Sequence, residues 1–405
     1  MWRSVTGMTL PALPMPREDE RPFDPPPEYA ELRASGKVIR VACPTGLDAW
    51  LVADYAGVRE VLGDGRRFST RPGLAAHVLA SYEDDGPIDN FTRMDGPEHV
   101  RIRRNFAPQV THARRLAELR PMVERITDEA ITRMLASPQP YPLHSQFSTA
   151  ITTSVIAELI GVPPEDRHLL HDAAVKLFDP STKADELREA LTPLYTYLYQ
   201  AVATRRAKPG DDVLSRMIEH SAGSDRPLTD TELTEMNAAL LIAGFDTTAS
   251  MITYGLVTLL NKPGEWDKLV ADPDTAVPAT EELVRYLAVG IGLLRQATED
   301  TVVNGQPIKA GDYVVVAVQS GNRDTALHPD ADELDVTRKP GAHLGFGHGA
   351  HACVGQQIAR MELTTVLRAL ATRVPALRIA VPLEEIVWKK DSVVRGPAEL
   401  PVAWS

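Results

Sequence analysis

The ten residues Phe346-Gly347-His348-Gly349-Ala350-His351-Ala352-Cys353-Val354-Gly355 decide how this chain is read. Three glycines, and no β-branched residue before the cysteine, describe a tight loop that exposes its backbone. Beyond Gly355 the positions Ile358, Met361, Thr365 and Val366 form one broad helical stripe, so the loop feeds straight into a helix. Cys353 therefore sits at a helix N-terminus, where orphan N–H groups and the positive end of the dipole favour the thiolate, the form that ligates a metal. The chain has two cysteines. With no CxxC spacing they supply neither a disulfide framework nor a zinc site, and Cys43, in a short hairpin region, reads as a packed free thiol.

Working outward, residues 228–260 are the longest helical candidate, opening on the capping-box pattern Thr229-Asp230-Thr231-Glu232 and stopping at Lys262-Pro263. Its middle is apolar on most sides without a heptad, which predicts a spine through the core rather than a coiled coil. Inside it lies Ala243-Gly244-Phe245-Asp246-Thr247-Thr248, a run of poor helix formers in a strong helix. Two physical reasons stand side by side: a threonine hydroxyl taking over a backbone carbonyl, or a close helix crossing at Gly244. Further helices are expected across residues 95–220, broken at Pro163-Pro164 and Pro209-Gly210. Strands are expected at 38–41, 49–53 and within 302–318.

With 405 residues, 43% hydrophobic and 24% charged, the chain has the composition of a soluble globular protein with a sizeable core. A net charge of -12 argues against a nucleic-acid surface. Residues 1–20 lack a signal-length apolar stretch, and no segment reads as a membrane span, so a reducing, cytoplasmic setting is expected. Residues 1–30 read as a Pro-rich arm, and 31–405 as one domain, mainly α with small β-sheets.

Phe346, Gly349, His351, Cys353 and Gly355 match the pattern FxxGxHxCxG, which resembles the haem-ligand loop of the cytochrome P-450 monooxygenases, in their soluble bacterial form. The resemblance implies a single cytochrome P-450-like domain with the long helix lying over a haem b, whose iron takes the Cys353 thiolate. It makes Ala243 and Gly244 cofactor contacts, with Phe346, Gly347 and Gly355 of the loop. Asp246 and Thr247 become the acid and alcohol that deliver protons to bound dioxygen. His99 and Arg103 match the family's HxxxR, and with Arg295 and His351 they are the expected partners of the haem carboxylates. Glu282 and Arg285 match ExxR, with Arg338 as the third member of a structural network. The chain departs from the family pattern at Leu334, where an aromatic is usual, and lacks the Phe often found upstream of Pro329.

By the same resemblance Ala239, Ile242, Ala243, Thr247, Ile291, Leu293, Val393 and Val394 line the substrate pocket, and the loops at 72–91 and 169–199 set specificity. A mostly apolar lining implies a hydrophobic substrate, such as a polyketide, macrolide or terpenoid intermediate of secondary metabolism, that is hydroxylated or epoxidised. Electrons would come from NAD(P)H through a ferredoxin reductase and a ferredoxin. Arginines 101, 103, 104, 114, 115 and 120, against Asp95, Glu98 and Glu118, read as a basic docking face for the ferredoxin. A peroxygenase of the same fold, using H2O2, or a haem-thiolate sensor or carrier are the other readings, neither of which needs the Asp246–Thr247 pair.

Overall fold

The Thr229 hydroxyl accepts a hydrogen bond from the Glu232 N–H at 3.1 Å, and the Glu232 carboxylate accepts from the Thr229 N–H at 2.8 Å. This reciprocal cap starts the expected long helix, Asp230–Asn261, 32 residues. Against the expectation of no span-like segment, its richest 18-residue window has a mean hydropathy of 1.4, enough by length and composition to cross a membrane. Protein covers 78% of that window, so the apolarity is that of a core spine. The computed structural model describes residues 4–5, 8–18, 20–44, 46–71, 91–178, 182–290, 292–389, 392 and 394–405. All of the 72–91 specificity loop except Phe91, residues 179–181 of the second one, Ile291 and Val393 lie outside them.

Helices Thr149–Ile160, Arg167–Phe178 and Ala184–Ala207 pack on the central helix from one side. Gln356–Arg373, which follows the Cys353 loop, packs against Ala113–Leu135, Ala276–Leu287 and the central helix, burying Ile358, Met361 and Val366. One continuous apolar core runs through these helices.

The expected hairpin forms as Ile39–Ala42 against Asp48–Val52, with Ile39 opposite Leu51. It is the edge of a five-stranded sheet that continues through Tyr313–Val316, Leu293–Ala297 and Phe68–Ser69. The Tyr313–Val316 strand runs parallel to Asp48–Val52, and every other pairing is antiparallel. A separate hairpin joins Thr301–Val303 to Gln306–Ile308 across Gly305, whose φ of +79° suits glycine. The N-terminal arm adds to the sheet: Leu13 N–H donates to the Ala42 carbonyl at 2.8 Å, Ala42 N–H to that of Pro11 at 2.9 Å, and Leu13 and Met15 are buried. The result is mainly helical with small sheets, as expected.

Candidate active site

Gly347 and Gly349 have φ values of +73° and +74°, the left-handed region that makes the loop before Cys353 turn so sharply. The loop is also clamped. A Cβ on Gly349 would lie 2.5 Å from the Leu62 carbonyl oxygen, and one on Gly345 2.5 Å from that of Val284. Cys353 N–H donates to the Phe346 carbonyl at 2.8 Å, closing the loop three residues before the helix Gln356–Arg373 begins. The sulfur faces the N–H groups of Gly355 and Gln356. Burial raises the Cys353 pKa, while those N–H groups and the nearby Arg103 and Arg360 oppose the rise. Cys353 nevertheless keeps exposed surface within this surround, whereas Cys43 is buried in the sheet core and its thiol is pushed up to about 11 by desolvation and the neighbouring Asp48. Cys43 is thus the packed thiol expected.

Phe346 is held by a network that sequence reading missed. The Arg360 guanidinium lies 4.3 Å over its ring, and Arg360 is gripped by Glu281 at 2.6 and 3.0 Å. Gly345 N–H donates to His343 Nδ1 at 3.1 Å, which leaves the proton on Nε2, donated to Glu281 at 3.0 Å. Burial alone would raise the Glu281 pKa, but these hydrogen bonds outweigh it and hold the carboxyl down at about 2.

The four expected carboxylate partners converge. His99, on the helix Gly96–Phe106, stacks on His351 with ring centroids 4.0 Å apart. Arg103, one turn later on that helix, donates to the Ala352 carbonyl at 2.6 Å. Arg295 comes from the strand Leu293–Ala297, is buried, and is lowered to about 10 by desolvation. His351 falls to about 4, through burial first and then the neighbouring His99 and Arg295, so it is neutral at pH 7. The carboxylate facing His99, Arg295 and His351 is Asp95, fixed by hydrogen bonds from Ser69 and Thr70. Two arginines against one aspartate leave unmatched positive charge, and the buried His99 Nε2 has no partner among the described residues.

On the central helix, the Thr247 hydroxyl donates to the Ala243 carbonyl at 2.6 Å. The helix stays continuous, so the hydroxyl shares that carbonyl without opening the ladder. The alternative reason holds too: a Cβ on Gly244 would meet Ile156 Cδ1 at 3.0 Å, so Thr149–Ile160 crosses here at close range. Ala239, Ile242, Ala243 and Thr247 form an accessible stripe on an otherwise buried helix. Leu293 is half-buried, and Val394 is buried in the C-terminal hairpin.

Asp246 is buried, and its surroundings were only partly foreseen. Its Oδ1 accepts from Lys389 Nζ at 2.7 Å and from the Ser250 hydroxyl at 3.3 Å, while Oδ2 has no partner among the described residues. His144 Nε2 stands 3.9 Å from Oδ1 and its Nδ1 3.0 Å from the Thr253 hydroxyl, which donates to Ser148 at 2.9 Å. Lys389 belongs to the C-terminal hairpin and His144 to the turn before Thr149, both distant in sequence. Ser250, one turn after Asp246, was the only one a helical-face argument could have found.

Glu282, Arg285 and Arg338 meet as expected. Glu282 binds Arg285 at 2.7 and 2.8 Å and Arg338 at 3.2 Å, and Leu334 fills the core where an aromatic is usual. The basic docking face is corrected. Arg103 turns inward, Arg115 is buried against Glu118 and Asp211, Arg101 pairs with Glu98 and Glu232, and Arg114 with Glu118. Acids one helical turn away, and others from adjoining elements, absorb the charge, leaving Arg104 and Arg120 unpaired among the described residues.

A clamped cysteine loop, cationic groups converging beside it, and an accessible stripe that carries Thr247 next to the buried Asp246 fit the haem-thiolate class of oxidoreductase. The cytochrome P450 family model matches residues 173–373. Nocardicin C N-oxygenase of Nocardia uniformis subsp. tsuyamanensis is 37% identical over 96% of this chain and 100% of its own. Mycinamicin IV hydroxylase/epoxidase of Micromonospora griseorubida is 37% identical over 93% and 94%. The crystal structure of CYP105P1 in complex with filipin I has a TM-score of 0.89 at 36% identity, covering 98% of this chain and 99% of that one. The chain belongs to the cytochrome P450 family and is a monooxygenase. Haem is the cofactor the family implies, and the residues fit it: a buried planar group with two carboxylates matches the surplus cations and the orphan His99 Nε2 beside Cys353.

Proposed function

We propose that this chain holds haem b through the Cys353 sulfur and oxidises a hydrophobic secondary-metabolite intermediate, with electrons from NAD(P)H through a ferredoxin reductase and a ferredoxin. The observation that carries the reading is the convergence of His99, Arg103, Arg295 and His351 beside the Cys353 loop, where among the described residues Asp95 alone faces this cluster with a carboxylate and His99 Nε2 lacks a partner. Bound haem supplies dioxygen activation, and one oxygen atom goes to the substrate while the other leaves as water, consuming two electrons and two protons. His99, Arg103, Arg295 and His351 bind its carboxylates; the N–H groups of Gly355 and Gln356 steady the sulfur as thiolate. Asp246 holds a proton path open beside the site, with Lys389 and Ser250 fixing its carboxylate. The Thr247 hydroxyl, anchored on the Ala243 carbonyl, presents the last donor. The Ala239, Ile242 and Ala243 stripe excludes water and favours an apolar substrate.

The relatives support the substrate class: one is named for nocardicin C, one for mycinamicin IV, and one structure holds filipin I. The test is spectral and stoichiometric. The reduced, CO-treated protein is expected to show the thiolate-type red-shifted Soret band, lost in Cys353→Ser. NAD(P)H consumption is expected only with ferredoxin and reductase present, and Thr247→Ala is expected to divert it to peroxide. A Soret band at the unshifted, imidazole-type position, or tight coupling in Thr247→Ala, overturns the reading.

A further inference from the structure

The N-terminal arm closes over a small cavity of about 20 Å³ between itself, the five-stranded sheet and the C-terminal hairpin, and no residue of the cysteine loop lines it. Two arginines line it, Arg17 and Arg395, with Tyr29, Gln319 and apolar groups such as Met15 and Val315, and none of the described lining residues is an acid. Arg17 donates through its two terminal nitrogens to the Asp24 carbonyl and to Gln319 Oε1, both neutral acceptors, and its Nε is buried without a partner. The Arg395 side chain has no acceptor among the described residues, and its Nε is likewise buried and unpartnered. Asp24, whose backbone carbonyl takes one Arg17 bond, has its carboxylate occupied by Arg21 at 2.7 Å and Arg323 at 3.4 Å.

Two desolvated guanidinium groups side by side are costly unless a negative charge joins them. Burial, and then the repulsion of Arg395, lowers Arg17 to about 9, which still leaves it charged at neutral pH. Burial also lowers Arg395. Desolvation pushes Tyr29 up to about 12, so its hydroxyl stays a neutral donor. A water molecule could satisfy an Nε–H but would cancel no charge. The cavity has room for one particle of about water size, since roughly 10–15 Å³ on this measure admits one water. Phosphate, sulfate and the oxidised substrate are too large.

We propose that Arg17 and Arg395, with the Tyr29 hydroxyl, form a binding site for one monoatomic anion, a halide of chloride size, which ties the N-terminal arm to the C-terminal hairpin. The site is separate from the haem reading and does not depend on it. The halide bridges two chain segments that share no other charge pairing among the described residues, so its loss loosens the arm from the hairpin that carries Val394.

The test uses the full-length holoprotein at constant ionic strength, with sodium chloride or bromide exchanged for sodium gluconate, whose anion is too large to enter. The thermal midpoint is expected to rise with the logarithm of halide concentration and to stay flat in gluconate. Arg17→Gln and Arg395→Gln are each expected to weaken the apparent halide affinity by roughly tenfold or more, the loss of a charged hydrogen bond. Bromide-soaked crystals are expected to give an anomalous peak between the two arginines. Equal midpoints in halide and gluconate, a halide response undiminished in both variants, or bromide crystals without that peak each overturn the proposal. The bromide experiment on the unmodified protein stands even where a variant does not fold.

Discussion

Arg285→Lys keeps the charge but removes the fork. In the structure all five guanidinium N–H donors are used: two reach Glu282 at 2.7 and 2.8 Å, and three reach the carbonyls of Asn322, Ala331 and Glu333 at 2.8, 2.7 and 3.1 Å. Arg285 and Glu282 are 2% and 3% exposed, so water replaces nothing that is lost. A lysine ammonium has three donors on one atom and leaves at least two acceptors unserved. At about 1.5–3 kcal/mol for each hydrogen bond to a charged group, the loss is roughly 3–6 kcal/mol. The lower end is expected, because Glu282 keeps Arg338 at 3.2 Å and the Asp335 N–H at 3.0 Å. With an unfolding entropy of about 2.1 cal/mol/K per residue over 405 residues, ~3 kcal/mol lowers the melting temperature by roughly 4 °C. Thermal unfolding of the holoprotein by circular dichroism reads the shift at several scan rates, with Arg114→Lys as the control, since Arg114 is 86% exposed and makes one surface pair. If Arg285→Lys melts within about 1 °C of the unmodified protein, the network is wetter than its geometry and the reasoning fails.

Lys389→Met keeps the stem and drops the ammonium held 2.7 Å from the buried Asp246; it is expected to cost roughly 2–4 kcal/mol in urea unfolding and to raise the peroxide formed per NAD(P)H, whereas an unchanged peroxide yield would detach Lys389 from the relay. Gly349→Ala forces a Cβ within 2.5 Å of the Leu62 carbonyl at a φ of +74° and is expected to lower the haem-bound fraction, read as the Soret-to-protein absorbance ratio. Gly36→Ala, at a φ of +62° with nothing nearby, carries the backbone strain alone and is expected to cost only about 1 kcal/mol, so equal losses in the two would refute the steric argument. Glu281 has a folded pKa depressed to about 2, so its contribution is complete above the unfolded value near 4.5 and disappears as pH falls through 2. Glu281→Gln is therefore expected to be least stable relative to the unmodified protein at neutral pH, by roughly 2–3 kcal/mol, with the gap closing between pH 4.5 and 2; a gap independent of pH would contradict it.

What could be read from the sequence was local or carried by a tight motif. The capping box at Thr229 and the stop at Lys262 follow from nearest-neighbour chemistry and form as read, while the strands expected around Gly305 pair as a hairpin. The cysteine loop and its four expected carboxylate partners came from the family resemblance, and the fold brings them together from the helix Gly96–Phe106, the strand Leu293–Ala297 and the loop itself. The basic face failed because a count along one segment cannot see Glu232 or Asp211 arriving from other elements. Lys389 and His144 were invisible for the same reason: each contacts Asp246 only through tertiary structure, and neither lies in a pattern that periodicity can mark.

The hairpin that supplies Lys389 also folds back on the central helix. Lys389 N–H donates to the Gly396 carbonyl at 3.0 Å, Trp388 bridges Pro397, and Gly396 lies against Ser250 and Tyr254, where a Cβ would sit 3.6 Å from the Ser250 carbonyl oxygen and the Tyr254 Cβ. The segment that carries Val394 is therefore the one whose Lys389 grips Asp246. Displacing the hairpin lengthens that 2.7 Å contact and loosens the hold on the buried carboxylate, so under the proposed pocket and relay substrate fit and acid placement share one mechanical part.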